Sequence, residues 1–443
     1  MTPASSSARD AGLTRVVGPF ALAATVVSLM VGAAIFAIPA DLSRTAGSLA
    51  PAVILLCAIA VGAIGLCLAA GASRVPSSGG LYAMIDAAFG DGAGFVSGTL
   101  FNVSNVLSSG AVCAALADAI ASVAPPHARA LVRVASVFGS VALIGGINMA
   151  GVAQGARLVG ITTVLKLGPL LLFLFAGVFA VNGANLVRPS AVSAEAVGRA
   201  MLLMLFAFTG FESALCASGE VREPTKTIPR ALLLGIGAVA ALYAALQFVA
   251  QGVLGPSLAS SKVPLADAMG VIHPALRFIL LAGAAVSMFG WMTSDLMTSP
   301  RVVFAFGRDG LLPRVFGELN RRHAPYIAIA CYGLVEIALA LSGSFADLAE
   351  PSALVLSILY IAACAASWEL QRRDVREAGL PLRFRGLGLA ALIASSGMLA
   401  VIVISPRGQQ LGLLVLTAVA ALLYLFKTGL ARRRRTASLS DPA

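Results

Sequence analysis

Residues 31–40 read VGAAIFAIPA, a stretch that carries a glycine, an alanine pair and a proline in the middle of a long apolar run. In water this would be an ordinary loop signal. In hydrocarbon every freed backbone N–H and C=O costs several kcal/mol unless a partner satisfies it. The medium therefore decides whether these ten residues join two elements or interrupt one.

Composition settles the medium. Of 443 residues, 59% are hydrophobic and 12% charged, with a mean hydropathy of +0.93, whereas soluble domains carry about 25% charged residues. The chain reads as an integral membrane protein. Runs of about 20 apolar residues, enough to cross a core of ~30 Å, recur to near residue 430. They predict about twelve helices, over 17–40, 48–72, 92–123, 131–150, 156–182, 197–220, 229–254, 275–306, 326–343, 347–370, 386–404 and 409–429. The fold class is all-α, and no stretch is left for a soluble domain.

Orientation follows from the basic residues, which stay on the cytoplasmic side. With the N-terminus inside, the inner segments hold 22 Lys and Arg and the outer loops 8, with Lys166 inside a span. Both termini are expected in the cytoplasm, the N-terminal tail being 1–16 and the basic C-terminal tail 431–443. The same asymmetry accounts for the net charge of +11 without nucleic acid. The tail ARRRRTASLS reads as a topology anchor, with contact to anionic lipid open. The opening MTPASSSARDAGLTRVV has the polar, basic start of a signal peptide, but the apolar run behind it is too long, so it is expected to be retained.

Enzyme chemistry is poorly supplied. His127, His273 and His323 fall near helix ends or in loops without a spaced partner for a metal. The six cysteines are scattered through apolar helices without a CxxC and read as small core residues. No lysine follows a glycine, so there is no phosphate loop to harness ATP, and GDGAGF at 90–95 is too weak as a nucleotide fingerprint. No nucleophile and base stand at a recognisable spacing, and no cofactor is expected.

The informative residues are polar ones placed where lipid punishes them, at about 2.5–3.5 kcal/mol per charge near mid-membrane. Lys166 lies in ITTVLKLGPLLL, Glu212 in FAFTGFESAL, Asp295 in WMTSDLMTSP, Glu336 in YGLVEIALAL, and Glu350 at the start of the tenth span. Glu336 and Glu350 read first as a satisfied structural pair or as residues reaching to an interface. Lys166 has only Thr162 and Thr163 as polar flank and cannot reach an interface. Burial penalises its charged form, so it is either a proton carrier or a fixed cation replacing a metal ion at a structural junction.

The sixth span, FAFTGFESALCASGE, is a second apolar run interrupted by glycine and hydroxyls. Paired discontinuous helices in two halves of an inverted repeat form midplane substrate sites in secondary transporters. Their ends offer free N–H groups of positive and free C=O groups of negative character. A zwitterionic amino acid complements both.

GAAIFAIP in the first span, PSSGGLYAMIDAAFG at 76–90, FAFTGFESALCASGEVREPTKTIPRAL at 206–232 and SPRVVFAFGRDGLLPRVFGELNRRHAPYIAI at 299–329 resemble, in this order, the amino acid, polyamine and organocation permeases. The resemblance implies a LeuT-type fold of two inverted five-helix repeats, here 17–182 and 197–370, plus two further helices at 386–429, within one domain over 17–430. It implies a substrate carboxylate on the amides of Ala33, Ala34 and Ile35 and an ammonium at the carbonyls of Met30, Phe206, Ala207 and Thr209. It further implies Phe206 as an aromatic lid and Ser104, Asn105 and Ser109 as pocket lining. Glu212 matches an acidic position of some members. Lys166 matches the lysine that fills a sodium site in proton-coupled relatives, which argues against sodium coupling. One departure stands out: members carry Gly-Ser-Gly or Gly-Ala-Gly where this chain has Gly32-Ala33-Ala34, and the added methyl narrows the approach to the backbone.

These readings lead to uptake of a neutral amino acid with protons across the cytoplasmic membrane, with Lys166, Glu212, Phe206 and Asp295 as coupling or gating residues. One proton moving down ~100 mV supplies about 2.3 kcal/mol, enough for a gradient of roughly 50-fold. The alternative is an exchanger of cationic amino acids or polyamines, with Glu212, Asp295 or Glu350 facing a basic side chain. A sensor or channel on the same scaffold is the reading from another class.

Overall fold

The computed structural model describes residues 17–77, 79–122, 124–150, 152–186, 200–201, 204–261, 263–308, 312–322, 324–343, 345–377, 379–405 and 407–439. The expected N-terminal tail 1–16, with Arg9 and Arg15, lies outside the described residues, as do Arg188, Arg199, Lys262, His323 and residues 440–443.

The helices in chain order are α1 (Pro19–Met30), α2 (Ala34–Ala46), α3 (Ala50–Arg74), α4 (Leu81–Phe89), α5 (Asp91–Ser122), α6 (Arg129–Met149), α7 (Val152–Gly177), α8 (Pro224–Leu254), α9 (Pro264–Ile272), α10 (Pro274–Thr298), α11 (Pro300–Arg308), α12 (Tyr326–Ser342), α13 (Phe345–Arg372), α14 (Leu387–Ile404) and α15 (Arg407–Leu439). Between α7 and α8 lies the sixth span, helical over 204–208 and continued by the 3-10 turn Ser213–Glu220. Among the described residues, eight helical stretches are long and apolar enough to cross a membrane, and four shorter apolar helices, Pro19–Met30, Met204–Cys216, Tyr326–Ser342 and Leu387–Val403, accompany them. Twelve spans result, with α4, α9 and α11 as short connectors. The protein is an all-α, multi-pass membrane protein.

Local chemistry sets the boundaries. Proline opens α1, α8, α9 and α10 in the first turn, where its missing N–H costs nothing. The His273 ring accepts from the amide of Ala275 at 3.2 Å to cap α10. Most ends fall within a few residues of the sequence reading. The clear difference is α15, whose backbone stays helical to Leu439, through the stretch expected to be a tail; good helix formers in ARRRRTASL carry the helix on past the apolar run.

The inner helices pack where small residues permit it. A Cβ at Gly283 of α10 would stand 2.8 Å from Pro169 of α7, and one at Gly290 would stand 2.7 Å from Thr162. Close backbone approach of this kind replaces the hydrophobic drive that lipid does not supply. α1 lies inside, against α8, α7 and α10, while α15 turns Leu411, Leu414, Leu422 and Leu425 outward. All six cysteines are free.

Candidate functional site

The stretch quoted at the outset is a real break. α1 ends at Met30, Val31 leaves the helix at φ −78°, ψ 85°, and α2 begins at Ala34. The last turn of α1 keeps backbone amides only on Val27 O, from Val31, and on Met30 O, from Gly32, each at 2.9 Å, so the carbonyls of Ser28 and Leu29 lack the amide that a continuing helix would give them. All of this lies buried: Met30, Val31, Ala33, Ala34 and Ile35 are each below 9% exposed.

Side chains from three distant helices meet those carbonyls. The Lys166 ammonium of α7 donates to Ser28 O at 2.5 Å and Val31 O at 2.9 Å. The Trp291 indole of α10 donates to Leu29 O at 2.7 Å. The Tyr243 hydroxyl of α8 donates to Met30 O at 2.8 Å and lies 3.3 Å from Ala207 O in the sixth span. Ser287 of α10 reaches Gly32 O at 3.1 Å and Val31 O at 3.3 Å. Hydroxyls extend the cluster below: Thr163 donates to Ser28 Oγ at 2.9 Å, and Ser28 Oγ lies 3.4 Å from Ser294 Oγ. Lys166 is fully buried, so its ammonium is met by carbonyl dipoles rather than by water.

The amide end is arranged differently. Ala33 caps α2 without a side-chain hydrogen bond, so the amides of Ala33, Ala34 and Ile35 have neither a preceding helical carbonyl nor a side-chain cap. A helix start of this kind favours an anion.

The sixth span breaks at Gly210, whose φ is +114°. A Cβ there would stand 2.6 Å from Leu29 O, so only glycine lets the two broken spans touch. Glu212 folds back on this break. Both its carboxylate oxygens lie 3.0 Å from the Gly210 amide, and Tyr360 of α13 donates to Oε2 at 2.7 Å. Phe206 O is taken by the Thr209 amide at 3.1 Å and hydroxyl at 2.8 Å. The Phe206 ring, half-buried, meets Phe345 edge-on with centroids 5.7 Å apart.

The remaining candidates fall in several places. Ser104 is bound to α13: its Oγ lies 3.0 Å from both Ser352 O and Ser352 Oγ. Asn105 and Ser109 are buried, and neither the Asn105 Nδ2 nor the Ser109 hydroxyl makes a hydrogen bond of normal geometry. Asp295 accepts from Ser299 at 2.6 Å and from Tyr332 at 2.8 Å. Glu350 is exposed and accepts from Gln409 at 2.5 Å. Glu336, read as satisfied in a structural pair or as reaching to an interface, does neither: it is fully buried and both oxygens lack a hydrogen bond.

Sequence reasoning brought out Lys166 and the two breaks but missed Tyr243, Trp291, Ser287 and Tyr360. One signal was available, since Trp291 is one of two tryptophans in the chain and a buried indole N–H needs an acceptor.

Comparisons with known proteins agree on one group. The family profile described as "Amino acid permease" matches residues 17–426. The chain is 34% identical over 335 residues to an uncharacterized transporter of Mycobacterium tuberculosis, covering 72% of each protein. It is 25% identical over 381 residues to a branched-chain amino acid permease of Lactococcus lactis, covering 79% of this chain and 81% of that one. It is 26% identical over 380 residues to a serine/threonine exchanger of Bacillus subtilis, covering 82% and 85%.

Proposed function

The chain belongs to the amino acid permease family, whose members are membrane transporters and not enzymes, and on that premise we propose that it takes up a neutral amino acid together with protons by alternating access. It does so across the cytoplasmic membrane with both termini inside, the repeats 17–182 and 197–370 moving about the two broken spans. The observation that carries the proposal is the seat of Lys166, a buried ammonium on the Ser28 and Val31 carbonyls at the end of the first half-helix. A proton leaving this lysine would remove the charge that holds those carbonyls, and so loosen α1 at the point where substrate binds.

The substrate carboxylate is assigned to the amides of Ala33, Ala34 and Ile35, with its side chain toward Asn105, Ser109 and the Phe206 ring. Ala34 narrows this cradle and favours a compact backbone contact. Neutral substrates are favoured over cationic ones because Glu212, Asp295 and Glu350 already accept hydrogen bonds within the chain. A named relative that carries branched-chain amino acids and another that exchanges serine and threonine point the same way.

The test uses purified protein in liposomes under an imposed pH gradient. Lys166→Gln should exchange labelled for unlabelled substrate but not concentrate it. If this variant concentrates substrate as the wild type does, Lys166 is not the coupling group. Chase of label by arginine, agmatine or putrescine, with alanine and leucine inert, would replace the neutral reading by the cationic exchanger.

A further inference from the structure

One buried acid is left over by this scheme. Glu336, on α12, is completely buried and neither carboxylate oxygen accepts a hydrogen bond. Among the described residues no lysine or arginine forms an ion pair with it. An isolated ionised carboxylate in such surroundings is unsustainable; the group either pairs, binds a cation or takes up a proton.

Its neighbours narrow the choice. Asp295 of α10 and Ser109 of α5 both lie within electrostatic range of Glu336. The Ser109 hydroxyl, itself fully buried, makes no hydrogen bond of normal geometry. Tyr332, one turn before Glu336 on α12, gives its hydroxyl to Asp295 at 2.8 Å, and Ser299 gives its own at 2.6 Å. Cys113 of α5 lies within electrostatic range of Glu336, and Cys216 of the sixth span within range of Arg301, Glu212 and Asp295.

We propose that Asp295 and Glu336 form a proton-binding carboxyl pair between α5, α10 and α12, with the proton held on Glu336 beside the Ser109 hydroxyl. Two adjacent carboxylates cannot both carry charge in a dry site. Asp295 has a donor on each oxygen and so is the better place for the charge; Glu336 has none and is the better place for the proton. The proton comes from water and returns to it, so no further reactant is needed. Ala33 of the first break and Tyr332, which binds Asp295, belong to one apolar cluster. The pair is separate from Lys166, and the two are tested by different variants.

Infrared difference spectroscopy of the reconstituted protein, in H2O and D2O, decides the matter. The wild type and Asp295→Asn should each show the band of a protonated buried carboxyl at neutral pH, and Glu336→Gln should lack it. Gln copies a neutral Glu in shape and polarity, so Glu336→Gln should fold and exchange substrate in counterflow whether or not Lys166 couples protons. An unchanged band in Glu336→Gln overturns the proposal. Loss of the wild-type band on adding sodium or putrescine at constant pH also overturns it, because the acid then serves as a ligand for a cation.

Discussion

The Lys166 ammonium lies 2.5 Å from the Ser28 carbonyl oxygen and 2.9 Å from that of Val31, so one side chain of the fifth span closes the exposed end of the first half-helix. Removing the donors while keeping an unbranched stem separates this structural role from coupling. Lys166→Met should leave the buried Ser28 carbonyl without a donor, at about 1–3 kcal/mol, and Val31 O with Ser287 alone. Thermal unfolding in detergent should show Lys166→Met well below Lys166→Gln, whose amide still donates. Equal melting of the two variants would show that the carbonyls do not depend on this side chain.

Gly210 holds the contact between the broken spans through a φ of +114° and an approach that places its missing Cβ 2.6 Å from Leu29 O. Gly210→Ala should cost roughly 1–3 kcal/mol from backbone strain alone, with the clash in addition. Gly139→Ala in α6, where a Cβ meets nothing within 4 Å, is the matched control. Substrate binding should be lost in the first and kept in the second, read by ligand-induced thermal shift.

Tyr243 joins the two breaks with one hydroxyl, between Met30 O and Ala207 O. Tyr243→Phe keeps the ring contact with Phe208, whose centroid is 5.4 Å away, and removes only the bond. A loss of about 1–3 kcal/mol in stability should accompany weaker substrate binding, since both carbonyls border the site. A variant that binds and melts as the wild type would remove Tyr243 from the site.

Asp374 lies in the turn after α13, outside the spans, where Arg376 and Arg383 hydrogen-bond its carboxyl and hold it well below the usual aspartate range. The Arg383 contact is 2.6 Å, and beside it the buried Arg74 donates to Val375 O at 3.2 Å and Leu382 O at 3.3 Å. A carboxyl depressed in the folded state contributes fully above its unfolded value and is lost only as pH falls through the folded one. Trypsin cleavage of this segment should thus stay slow and constant from about pH 8 to about pH 5. Asp374→Asn, which tolerates the φ of 54° at this position, should be cut faster throughout. A wild-type segment that opens between those pH values would refute the pairing.

How much of this was legible in the sequence differs from residue to residue. The two breaks and Lys166 announced themselves because hydrocarbon tolerates a proline, a glycine or a charge inside a spanning run only where a partner offsets its cost. Tyr243 and Ser287 gave no such signal, since a tyrosine or serine in a span is common and its partner lies far off in the chain. Glu336 was visible as an oddity, but nothing in the sequence shows that Tyr332, one turn before it, gives its hydroxyl to Asp295 on another helix. Ser104, read as pocket lining, sits one turn from Ser108, and both hydroxyls are within 3.0 Å of Ser352; nothing in the sequence says which side of α5 faces α13.

The sequence by itself determined the medium, the number of spans and the places where two of them break, because hydropathy and length act locally and hydrocarbon forbids a free backbone. It also determined that the freed groups must find partners. Which partners they find was decided only in three dimensions. The carbonyls of Ser28 to Gly32 are met by residues 166, 243, 287 and 291, and such long-range pairings depend on how the twelve spans pack. Backbone satisfaction is a requirement each segment carries alone, whereas its fulfilment belongs to the assembled bundle.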